Sequence, residues 1–84
     1  MSPNELVSLV GSVCPKFDIN YISASNTANI RCARGYKGKI MAKLQATLPP
    51  DFKYSVTENY NPSNPVGAFY VDGQLSQPGI SSVK

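Results

Sequence analysis

The chain has 84 residues, with eight Lys and Arg against five Asp and Glu, a net charge of +3, no His, no Trp and two Cys. A chain this short builds one hydrophobic core, and at 42% hydrophobic and 15% charged residues its composition excludes an intrinsically disordered tail. Without His, the Ser-His-Asp and Cys-His arrangements and most catalytic zinc sites are ruled out together.

Ser2, Pro3, Asn4 and Glu5 open the first element as a capping box: a hydroxyl at the cap, a proline at the first helical position, and a carboxylate that reaches back. Leu6, Leu9, Val10 and Val13 then recur at helical spacing until Pro15, which predicts a helix over residues 3–13. From Phe17 the period changes to two. Phe17, Ile19 and Tyr21 share one face while Asp18 and Asn20 share the other, the pattern of a half-buried strand. Residues 23–29 are polar and turn-forming, and Ile30 to Arg34 return as a second strand with Ile30 and Cys32 on the apolar face.

Gly35 to Gly38 break that strand, and Ile40, Met41, Leu44 and Leu48 predict a second helix over about residues 38–47, stopped by Pro49 and Pro50. Phe52, Tyr54 and Val56 alternate with Lys53, Ser55 and Thr57 as a third strand, and Val66 to Val71 form a fourth. Asp72-Gly73 suits a type I′ turn, so Gln74 to Ser76 fold back as a short edge strand. The expected fold is a two-layer α+β domain over residues 1–77, of order α-β-β-α-β-β, with an antiparallel sheet of about four strands and two helices on one face. Residues 78–84 are expected to be a flexible tail, and the 59–65 stretch NYNPSNP, carrying Tyr60, a mobile loop.

The N-terminus reads as a capped amphipathic segment and not as a secretory leader. The apolar runs are far shorter than the roughly 20 residues a membrane span needs, so the expected setting is cytoplasmic, with no membrane partner. Cys14 and Cys32 form no CxxC motif, and reduced, buried thiols are expected. The element order, with the GxxG at Gly35 to Gly38, resembles KH-type and BON modules. In a KH domain, however, the GxxG joins two helices after an apolar Ile-Gly signature, and here it follows a strand. No family function is therefore carried across.

Little catalytic equipment remains. Glu5 is used by the cap and Asp72 by the turn, while Asp18, Asp51 and Glu58 are scattered, Glu58 at the expected end of the third strand. GYKGK departs from a phosphate-binding P-loop, which needs four residues between its glycines and a Ser or Thr after the lysine. No metal or cofactor is expected.

Charge is concentrated. Arg31, Arg34, Lys37, Lys39 and Lys43 lie between Ile19 and Pro50 with no acid among them, a +5 segment against −2 for the rest of the chain. Lys37 and Lys39 open a helix, where the unpaired N–H groups already make the terminus positive and Asp or Glu is the ordinary choice. An anion from outside, held by Arg34, Lys37 and Lys39 with close approach at Gly35 and Gly38 and a contact face on Tyr36, would relieve that mismatch. The same run also serves simply as a solvated helix surface. The expected function is a small, non-enzymatic binding or modulator protein whose basic patch, Arg31 to Lys43 with Tyr60 nearby, engages an acidic protein surface. Direct nucleic-acid binding through the patch is the alternative, and a third reading is an assembly subunit, including a homo-oligomer, pairing through a sheet edge.

Overall fold

In the computed structural model, which describes residues 3–76, the apolar stripe of the first helix packs as its spacing predicts. Helix α1 covers Pro3–Gly11 and buries Leu6 and Val10. Beyond Gly11 its hydrogen bonding is mixed: Ser12 N–H donates to Ser8 O at α-helical spacing, while Val13 and Cys14 N–H both donate to Val10 O. The expected end at residue 13 is thus an irregular last turn closed by Pro15. The Ser2 cap and the 78–84 tail lie outside the described residues.

Strand β1 (Phe17–Ile22) and strand β2 (Thr27–Cys32) form an antiparallel hairpin with Ile19 opposite Ile30. The second strand begins three residues earlier than expected. Asn26 adopts a left-handed φ of 52° and accepts a hydrogen bond from Tyr21 Oη at 3.0 Å, which confines the turn to residues 23–26. Thr27, Asn29 and Arg31 then alternate with buried Ala28, Ile30 and Cys32.

Helix α2 (Lys37–Thr47) buries Ile40 and Leu44. It stops at Leu48, whose extended backbone (φ −80°, ψ 148°) is what a residue preceding proline is driven to adopt. Strand β3 (Lys53–Thr57) follows, then β4 (Ala68–Val71) and β5 (Gln74–Ser76), joined by the Asp72-Gly73 turn with φ of 54° and 85°. The fourth strand is shorter than expected, since Val66 and Gly67 belong to a turn.

The sheet corrects the expectation of four antiparallel strands: it has five, is mixed, and runs in the order β3-β2-β1-β4-β5. Strand β3 is parallel to β2 because α2 carries the chain back to the end from which β2 started, the geometry of a strand-helix-strand crossover. Strand β4 crosses to the far side of β1 and pairs with it in parallel.

Register then sorts the side chains. Val56, Ile30, Ile19 and Phe69 form one cross-strand row, all buried, in a single core cluster with Leu6 and Val10 of α1 and Ile40 and Leu44 of α2. The opposite, helix-free face carries the row Ser55, Asn29, Asn20, Tyr70 and Leu75, and beside it Thr57, Arg31, Asp18 and Ala68.

Candidate functional site

The five cations of the acid-free segment separate onto two sides of the sheet. Arg31 stands on the helix-free face opposite Asp18, with its Nε 3.9 Å from Asp18 Oδ1, and the Asp18 side chain is 3% exposed. Its charge is directed at a buried carboxylate. Arg34, Lys37, Lys39 and Lys43 are exposed and belong to the turn after β2 and to α2. Among the described residues, none of these four has a carboxylate within 4.0 Å.

The start of α2 matches the sequence expectation in one respect and adds something it lacked. The N-cap, Tyr36, makes no side-chain capping bond, and the first turn holds no acid. Tyr36 N–H closes a turn on Ala33 O, and the first helical bond runs from Ile40 N–H to Tyr36 O, so the N–H groups of Lys37, Gly38 and Lys39 precede it. An anion nevertheless stands at the pole. Glu58, just past the end of β3, accepts the Gly35 N–H at Oε2, 3.0 Å away, so its carboxylate does more than mark where the strand stops. Gly35 has φ of +95°, which suits glycine and turns its N–H toward that carboxylate.

The lysines diverge. At 100° per residue, Lys37 and Lys39 project about 200° apart around the helix axis. Lys37, the first residue of α2, acts electrostatically on Cys32 of β2 with a sign opposite to that of Glu58. Lys39 Nζ lies 5.5 Å from the centroid of the Tyr36 ring, and Tyr36 itself packs half-buried against the core. Lys39, Lys43 and Thr47 then form one i, i+4 ridge, and Lys43 and Thr47 flank the groove between α2 and α1. Gly38 is exposed, with no heavy atom within 4 Å of where a Cβ would stand.

Tyr60 belongs to a separate construction. Its hydroxyl donates to Asn64 O at 2.8 Å, Asn64 Nδ2 donates to Asp18 Oδ2 at 2.8 Å, and the Tyr70 hydroxyl donates to Asn64 Oδ1 at 2.6 Å. The 59–65 segment, expected to be mobile, is thereby fastened to the helix-free face of β1 and β4. Sequence reasoning missed Asn64 altogether. The available signal was Asp18, a carboxylate in mid-strand that needs a donor if buried.

Asp72 and the two cysteines are absorbed by the fold. Asp72 accepts Ser23 N–H at 3.1 Å and Ser23 Oγ–H at 2.8 Å, tying the β4–β5 turn to the β1–β2 turn. Cys14 and Cys32 are free and buried, their thiols donating to Lys16 O and Thr57 O. Burial pushes the Cys32 thiol up from an ordinary 9.0 to about 11, with Cys14 and Glu58 adding to the shift and Lys37 opposing it. This is the reverse of an activated nucleophile.

Because the folded state favours the neutral thiol, the associated stability is complete below pH 9 and is lost as pH rises toward 11. By linkage the loss is about 2–3 kcal/mol. Urea titrations at pH 8 and 10.5 are expected to show Cys32→Ala losing less stability across that interval than the parent chain. Equal losses would assign the alkaline sensitivity to other groups.

Among the described residues no group of three His, Cys, Asp or Glu is arranged to hold a metal ion, and no helix is long and apolar enough to cross a membrane. No protein family, no curated protein and no solved structure matches this chain.

Proposed function

We propose that this domain is a small, non-enzymatic binding module that engages an acidic surface on a larger protein through the cations of its helical layer. Lys39 and Lys43 form the centre of that surface, with Arg34 and Lys37 at its margins. One observation carries the reading: these four exposed cations lie within ten residues of one another, and among the described residues none is neutralised by a carboxylate within 4.0 Å. Arg31 leaves the patch, since it faces Asp18 on the other side of the sheet. The carboxylates of Asp18, Glu58 and Asp72 are each engaged in holding the fold, which supports a binding role over a catalytic one.

A protein partner is favoured over nucleic acid. Tyr36, the aromatic nearest the cations, is half-buried against the core with Lys39 over its ring, which makes it a poor platform for stacking bases. The edge-pairing reading draws on Val66 and Leu75, 55% and 51% exposed around β4 and β5. Concentration-dependent sedimentation would reveal it.

Reversing both ridge charges, Lys39→Glu with Lys43→Glu, replaces attraction by repulsion and is expected to weaken partner binding at least ~10-fold while leaving the thermal midpoint nearly unchanged. Capture from a source-cell lysate, with and without nuclease, compares the two forms. Equal capture by both would remove the proposal, and capture abolished by nuclease would transfer the patch to nucleic acid.

A further inference from the structure

The cationic ridge borders a groove at its Lys43 end, with Lys39 one turn earlier on α2, outside the groove lining. Between α1 and α2 lies an open depression of about 550 Å³, with Lys43 and Thr47 on the α2 side and Glu5, Ser8 and Ser12 on the α1 side. Leu9, half-buried against the core, supplies its apolar surface. From Glu5 to Ser12 the groove follows α1 for about 10 Å, or two helical turns. Ser8, Ser12 and Thr47 are short side chains, so another backbone can come close to both helices.

Resting on the cationic reading above, we propose that this groove receives an acidic amphipathic helix of the partner protein. An apolar side chain of that helix covers Leu9, and carboxylates one turn apart on its flank meet Lys39 and Lys43. Charge complementarity selects this occupant: the ridge repeats its cations at i, i+4, the spacing at which a helix repeats its own side chains. The lysines stand on the α2 side, so the acidic flank of the incoming helix lies toward α2. Apolar contact and charge are recognised together.

Three synthetic helical peptides of about 14 residues test this, followed by amide chemical shifts of the labelled protein. The first has a leucine stripe flanked by glutamates, the second has the stripe with glutamines replacing the glutamates, and the third keeps the glutamates with serines replacing the leucines. The first is expected to shift the amides of Ser8, Leu9, Ser12, Lys43 and Thr47 and to bind at least ~5-fold more tightly than either control. Filling the groove with Ser8→Trp, a substitution at an exposed position, is expected to abolish that preference without altering the thermal midpoint. Equal binding of the first and third peptides would overturn the groove and leave the cationic reading standing. Equal binding of the first and second would overturn the acidic occupant and the cationic reading with it. Shifts confined to other surfaces, or none at millimolar peptide, would overturn the docking site.

Discussion

Asn64→Ala is expected to lower stability by about 2–4 kcal/mol, because it removes the donor that holds a buried carboxylate. The Asp18 side chain is 3% exposed and, among the described residues, would keep only the Arg31 guanidinium, 3.9 Å away, while the Tyr70 hydroxyl would lose its acceptor. For a domain whose total stability is of the order of 4–12 kcal/mol, that is a large share. The bond from Tyr60 to the backbone carbonyl of residue 64 survives the substitution, so the loss isolates the side-chain amide. Urea midpoints at neutral pH measure it. The paired variant Asp18→Asn with Asn64→Ala is expected to cost at least ~1 kcal/mol less than the two single losses together, since a neutral amide is cheaper to leave unpaired. Asn61→Ala is the contrast: Asn61 Oδ1 accepts only from Ser63 in an exposed turn, and a loss below about 1 kcal/mol is expected. A loss under ~0.5 kcal/mol for Asn64→Ala would show that solvent replaces the amide and that the 59–65 segment is not a fastening.

The elements that were legible in the sequence are those specified by neighbours. The stripe of α1, the Pro49-Pro50 stop of α2, the alternation of β3 and the Asp72-Gly73 turn each depend on a few adjacent residues. Strand β2 was legible only in part. Thr27 and Asn29 have the composition of a turn but the parity of a strand, and the register with β1 decides in favour of the strand. Pairing across the sheet was not legible, because the insertion of β4 beside β1 depends on contacts about fifty residues apart and no local residue type announces it. The candidate site divides in the same way. The exposure of Lys39 and Lys43 follows from helical spacing alone, whereas the carboxylate at Gly35 comes from Glu58, 23 residues further on. Arg31 could have been separated from the patch by parity, since it alternates with Ile30 and Cys32 and so must face away from the layer that holds the helices.

Leu44→Ala is expected to cost about 2–5 kcal/mol, the range for a large aliphatic side chain removed from a packed interior. Leu44 is completely buried, and with Ile40 it is one of the two buried residues of α2, an eleven-residue helix whose outward positions are Lys, Gly, Gln, Ala and Thr. Strand β1, by contrast, is paired on both sides and held by two ladders. The cavity should therefore be felt unequally: amide exchange in α2 is expected to accelerate more than in β1, with α2 opening before the sheet. Exposed Gln45→Ala, one residue away, changes no packing and should stay within about 0.5 kcal/mol. The consequence reaches function because Lys39 and Lys43 are presented by this helix and by nothing else. At a temperature where Leu44→Ala is still folded but α2 opens more often, partner affinity should fall in proportion to the closed fraction, although no ligand-facing residue has changed. If exchange rises equally in α2 and β1, the helix opens only with the whole domain, and affinity should then track global stability alone.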